Sequence, residues 1–326
     1  MRKNWKGAAA VFAAVATIIV LAGCSASTSS TSSSATSSTA KGPIIVGSKI
    51  DTEGKLLGAI IIAKLKDAGF TVTDKTQTGA TDVVRKALLN KEIDIYPEYT
   101  GSGFYFFQNQ LSSAQKAQFK NGAQGYDLVK RLDSNANKID WLEPARANNT
   151  WALAVKQDFA AANNLRTMSD LAAYVKAGKP IKVAASDEFF NNPDAWPAFK
   201  TTYGFDIPTA SRIILSGGDT AQTEKAVADG TNGTNVGMAY GTDGALSELK
   251  LQVLTDDKGA QLVYWPTPIV RQEIADKYPE IATQLKPVFD ALTLEKLQEL
   301  NGRIQANGES AQAVAEDFLK TNGFIK

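Results

Sequence analysis

Four aromatic residues, Tyr99, Trp151, Tyr240 and Tyr264, lie in stretches of one kind: "PEYTG", "NNTWA", "AYGTDG" and "VYWPTP". Each stretch joins an apolar run to Gly, Asn, Thr or Pro, so each ring is expected at a strand end or a chain crossing. Any one of them alone would also suit a core or a rim. Four in equivalent places suit a box of aromatic faces, which attracts a quaternary ammonium through the ring quadrupoles without a metal, a histidine or a formal anion.

Catalytic alternatives are poorly supplied. The chain has no histidine and one cysteine, Cys24, which excludes Ser-His and Cys-His nucleophiles. No Asp/Glu clustering points to a metal site, and no cofactor is called for. The glycines of "GATDVVRK" and "SGGDTAQ" precede helical patterns but lack phosphate-loop or dinucleotide spacing. One hydrolytic route stays open: paired carboxylates such as Glu98 and Asp243 facing each other across a cleft and cleaving a glycoside.

The elements that must position these residues begin after a leader. "MRKNWK" is a cationic start, the Ala-rich apolar run after it is short for a membrane span, and "LAGC" ends it, as a lipoprotein signal peptidase requires. Residues 1–23 are therefore expected to be removed, leaving Cys24 lipidated as the membrane anchor. Of residues 25–40, thirteen of sixteen are Ser or Thr, so 24–42 reads as a flexible tether reaching roughly 20–25 Å. The whole chain has 35 basic and 34 acidic residues, and losing Arg2, Lys3 and Lys6 with the leader turns a slight positive balance slightly negative. No footprint for nucleic acid results.

Roughly 285 residues follow the tether, more than one core usually serves, and two domains are expected. From Pro43 the pattern alternates: a strand in "PIIVG", a helix in "TEGKLLGAIIIAKLKDAG" with Thr52 as cap, a strand in "FTVTDKT", a helix capped by Thr81, and a strand in "IDIYPEY". Such units build a mostly parallel α/β sheet flanked by helices, with ligands outside the carboxyl ends of the strands. A second set follows "NNTWALAVK", with strands in "PIKVAAS", "SRIILSG" and "TNVGMAYG". The segment from "LVYWPTPIV" onward reads as mostly amphipathic helix returning to the first domain. The expected division is 43–148 plus 258–326 for lobe I and an inserted 149–257 for lobe II.

Several segments, taken in order, resemble one family: "VGSKIDTEGKLLG", "GATDVVRKALLNKEIDIYPEYTGSG", "WLEPARANNTWALAV", "FNNPDAWPAF", "AYGTDG" and "YWPTPIVR". The chain is similar over nearly all of 44–326 to the binding proteins of ABC transporters for glycine betaine, choline and other quaternary amines. The resemblance implies a two-lobed periplasmic-binding-protein fold of type II, with the ligand in the cleft between lobes. It also implies a monomeric, extracytoplasmic, non-enzymatic receptor that serves a permease and its ATPase. Receptors for other cationic or zwitterionic solutes, such as an amino acid, share this outline.

The resemblance implies that Tyr99, Trp151, Tyr240 and Tyr264 form the aromatic cage, with Trp151 standing where Tyr is more common. It places Lys49 and Ser102 at the polar end of the ligand. The departure is Asn192 in "NNPDA", where many relatives carry an arginine that grips the ligand carboxylate; asparagine lacks both the charge and the guanidinium fork. "KID" likewise replaces the usual Lys-Asn-Phe, so Asp51 adds an anion near Lys49. These departures lead to the expectation that glycine betaine is held weakly.

Overall fold

A computed structural model describes residues 41–215 and 220–326. The leader, Cys24, nearly all of the tether and the glycines of "SGGDTAQ" lie outside the described residues. Among the described residues ten strands form two sheets: β1 (Lys41–Lys49), β2 (Phe70–Gly79), β3 (Ile95–Tyr99), β4 (Ile139–Trp141), β5 (Trp151–Lys156), β6 (Val183–Ser186), β7 (Arg212–Leu215), β8 (Val236–Tyr240), β9 (Leu251–Val253) and β10 (Pro266–Arg271). The first sheet runs β2-β1-β3-β10-β4 and the second β7-β6-β8-β5-β9. Both follow one plan. A central strand pairs in parallel with two neighbours, and a strand arriving from the other part of the chain then pairs antiparallel.

The sheets are thus mixed rather than mostly parallel. The added antiparallel strand in the first is β10, which lies in the segment from "LVYWPTPIV" onward that reads in sequence as mostly amphipathic helix and which carries two prolines. A proline in a central strand removes a ladder donor. Here Pro268 lies opposite Pro97, and two residues without N–H groups can face each other only where the antiparallel ladder makes no bond between them. The Pro266 and Pro268 carbonyls turn the other way and accept from Ala145 and Leu142.

The helix Thr52–Asp67 buries Leu56, Leu57, Ile60, Ile61 and Leu65, the face its spacing predicts, against the first sheet and the C-terminal helices Glu280–Asp290, Leu294–Gln305 and Ala311–Thr321. Its cap is Asp51, not Thr52: the Asp51 carboxylate accepts from Gly54 N at 2.8 Å. Thr81 is likewise the first helical residue of Thr81–Leu89, and Ala80 before it supplies no side-chain cap. On the opposite face of the first sheet, Tyr96, Phe107, Phe119 and Trp141 share a core with Val84, Ala87 and Leu88. The second sheet has its own core around Phe189, Trp196, Phe199 and Tyr203. Among the described residues no helix is long and apolar enough to cross a membrane.

Candidate ligand-binding cleft

The common plan of the sheets explains where the aromatics fall. Tyr99 is the last residue of β3 and Tyr240 the last of β8, so the two occupy equivalent strand ends. Across the antiparallel pair, Tyr240 faces Trp151, the first residue of β5, while Tyr99 faces Pro266, two residues beyond Tyr264. Each sheet therefore offers a tyrosine and a second aromatic from the neighbouring antiparallel segment. All four line one cavity of about 840 Å³, together with Lys49, Ser102 and Asn192.

The second-sheet pair is held internally. Trp151 Nε1 donates to the Tyr240 hydroxyl at 2.9 Å, and the rings lie within 21° of parallel with centroids 6.4 Å apart. Asp243 fixes the turn by accepting from Tyr240 N at 2.6 Å. Burial raises the Tyr240 hydroxyl pKa, so the ring stays neutral.

The first-sheet pair is held by acids. Tyr99, only 5% exposed, donates through its hydroxyl to Glu53 Oε1 at 2.9 Å. The Lys49 ammonium sits 4.8 Å from the centre of the Tyr99 ring and pairs with Glu98 at 2.6 Å. Glu98 is fully buried; it also accepts from Tyr96 Oη at 2.8 Å, Ser102 Oγ at 2.9 Å and Tyr99 N at 2.8 Å. Tyr264 packs over Gly101, where an added Cβ would come within 2.6 Å of the ring, so only glycine lets the chain pass beneath it. The Tyr264 hydroxyl meets that of Tyr105 at 3.5 Å.

The structure gives the polar candidates particular roles. Lys49 lines the cavity with its charge already matched by Glu98, and Ser102 is tied to the same carboxylate. Asn192 uses its side-chain oxygen to accept from Asp194 N at 3.0 Å, which leaves its amide nitrogen as the group it can offer. Glu98, the first half of the carboxylate pair, is buried behind Tyr99 rather than facing the cleft. Sequence reasoning missed Glu53, Asn149 and Asn301, which line the same cavity and bond one another: Asn149 Nδ2 donates to Glu53 Oε1 at 3.0 Å and Asn301 Nδ2 to Glu53 Oε2 at 2.8 Å. Asp51, Asp82, Glu188 and Asp243 also line it, and among the described residues its cations are Lys49 and Lys55, with no arginine.

Two similarly built sheets meeting at an aromatic cleft define a two-lobed solute-binding protein. The chain belongs to the family described as the substrate binding domain of ABC-type glycine betaine transport systems, whose model matches residues 42–321. It is 48% identical over 287 residues, 88% of this chain and 93% of the relative, to the glycine betaine-binding protein YehZ of Escherichia coli K12. It is 33% identical over 288 residues to a glycine-betaine-binding protein of Pseudomonas aeruginosa, covering 86% of this chain and 88% of that one. The apo structure of YehZ from Escherichia coli superposes with a TM-score of 0.75, covering 86% of this chain and 99% of that one.

Proposed function

We propose that the chain is an extracytoplasmic receptor that captures a small quaternary amine between its two aromatic walls and hands it to an ABC permease. Its tie to the membrane is a lipid on Cys24. The observation that carries this reading is the convergence of Tyr99 and Tyr264 from one sheet with Trp151 and Tyr240 from the other on a single cavity. Aromatic faces attract a desolvated ammonium by up to about 2 kcal/mol or more each. The acidic lining favours the same charge. Capture needs no covalent step, only closure of the lobes around the ligand. Paired-carboxylate hydrolysis loses support because all the polar reach of Glu98 goes to Lys49, Tyr96, Ser102 and the backbone.

The named relatives bring glycine betaine forward as a ligand, and Asn192 in place of an arginine argues that its carboxylate is held weakly here. A thermal-shift panel tests the class. A bound quaternary amine at a hundredfold excess over Kd stabilises the protein by about 2.7 kcal/mol. Stabilisation by amino acids or sugars, with none from choline, carnitine or glycine betaine, would overturn the reading.

A further inference from the structure

The helix Leu294–Gln305 has two faces with different partners. Leu297 and Leu300 share the core of the first sheet with Leu56 and Leu57. Gln298, Asn301, Gly302 and Gln305 recur at the three- and four-residue spacing of one helical stripe, and that stripe meets the second sheet. Gln298 Nε2 donates to the Gly241 carbonyl at 2.8 Å, Asn301 Nδ2 donates to the Thr242 carbonyl at 2.9 Å, and the Gln305 side-chain oxygen accepts from Gly244 N at 3.2 Å. Gly302 lies so close to Gly244 that a Cβ on Gly244 would stand 1.9 Å from the Gly302 nitrogen. Residues 241–244 are the loop directly after β8: Tyr240 precedes it, and Leu246 just beyond it is buried in a cluster of the second sheet with Ala239 and Leu251.

The chain crosses from the first sheet to the second between β4 and β5 and returns between β9 and β10. The helix adds a non-covalent tie to these crossings, and it does so at the cleft: Thr242 and Asp243 from the loop and Asn301 and Gln305 from the helix line the cavity. The tie also joins the two walls. Asn301 Nδ2 donates to Glu53 Oε2 at 2.8 Å, and Glu53 holds the Tyr99 hydroxyl; the same nitrogen holds the carbonyl two residues after Tyr240. The hydrogen bonds of the stripe run between amide side chains and backbone. Bonds of that kind exchange with water at a small net gain, so the stripe can release the loop and retake it while the leucine face stays buried.

We propose that the helix Leu294–Gln305 is the part of the first lobe that senses closure: its stripe takes hold of the 241–244 loop as the lobes come together, and Gln298, Asn301 and Gln305 are positioning residues that set how long the closed receptor keeps its ligand. The inference rests on the reading of the cleft as a quaternary-amine receptor and adds what holds that cleft shut. A contact made equally in open and closed forms changes no affinity, whereas one made only on closing contributes its full worth to binding.

Gln298 and Gly302 lie outside the cavity lining, so changes there reach a ligand only through the loop. Gln298→Met keeps the length of the side chain and removes the donor. Gly302→Ala sets a methyl group 3.1 Å from the Gly244 oxygen, a tight approach that pushes on the loop, while alanine favours the helix itself. Choline is the probe, titrated by calorimetry and followed by stopped flow at about pH 8.5; there Glu53, whose carboxyl burial pushes up to about 7, is ionised and can only accept from Asn301. The double variant should bind choline about tenfold more weakly, about 1.4 kcal/mol, through faster dissociation at an unaltered association rate. Its ligand-free urea midpoint should match that of the unmodified protein. Unchanged choline affinity overturns the inference, and so does a loss carried by association alone or matched by an equal loss of ligand-free stability. If the double variant does not fold, the single variants decide on the same readings with smaller shifts. No choline binding by the unmodified protein would instead remove the quaternary-amine reading, and this inference with it.

Discussion

The two walls of the cleft occupy equivalent positions on sheets of the same plan, yet they are fixed by different physics. The Trp151–Tyr240 wall is neutral: strand register puts the rings side by side and one N–H···O bond joins them. The Tyr99–Tyr264 wall is backed by ionisable groups, with Glu53 on the Tyr99 hydroxyl and the Lys49–Glu98 pair against its face. A shared backbone plan thus sets where the rings go, while the side chains behind them decide which wall responds to charge and pH.

The largest break in this comparison is expected from Glu98→Ala. Removing one partner of a buried ion pair leaves Lys49 uncompensated, and urea unfolding should show a loss of about 3–5 kcal/mol. Combining it with Lys49→Met should recover much of that. A single-variant loss under about 1 kcal/mol would mean that the pair does not hold the first wall.

Next in size is the pH dependence of stability through Glu53. Its native pKa of about 7 lies above the ordinary 4.5, so the folded state binds the proton more tightly than the unfolded one. The resulting stabilisation is full below the ordinary value and is lost as pH rises through the native one, on the order of 3 kcal/mol in all. Unfolding midpoints measured across that window should fall with rising pH in the native sequence and fall less in Glu53→Gln. Parallel slopes would place the titration elsewhere.

Smaller effects should separate the rings. Tyr99→Ala should weaken binding of a quaternary amine at least tenfold, about 1.4 kcal/mol, with Tyr99→Phe milder because the face survives. Equal losses in the two would assign the work to the hydroxyl and its bond to Glu53. Least costly is Trp151→Phe, which keeps a ring but deletes the bond to Tyr240, about 0.5–1.5 kcal/mol by unfolding. The variant should also lose most of any ligand-induced change in tryptophan fluorescence. An unchanged signal would move the reporter to Trp141, Trp196 or Trp265.

The strand-end placement of Tyr99, Trp151 and Tyr240 was legible because each ring joins an apolar run to turn residues, a local pattern; a common purpose for them and Tyr264 is what the resemblance implies. Glu53 was not legible. An acid in the first turn of a helix is routine complementation of the helix dipole, and what sets Glu53 apart is Asn301, 248 residues away in sequence. Asn149 lay within the quoted "NNTWA" but read as a turn residue, since nothing local shows that its amide meets a carboxylate. The caps at Thr52 and Thr81 failed for a simpler reason: chains enter those helices one residue earlier, and at the first of them Asp51 offers the stronger acceptor. The strand β10 is short and precedes a long helical run, so it was not separated from it; its Pro268 is compatible with a central place in the sheet because it faces Pro97.

The most direct test of the account replaces the positive charge and nothing else. Choline and its carbon isostere 3,3-dimethylbutanol have nearly the same shape and the same hydroxyl, and differ in whether the aromatic box meets a cation. Calorimetric titration of the unmodified protein should show saturable choline binding and at least about tenfold weaker binding of the isostere, since desolvated cation–ring contacts are each worth about 2 kcal/mol. Equal affinities for the two would contradict the account, making the four rings an apolar pocket rather than a receptor for charge.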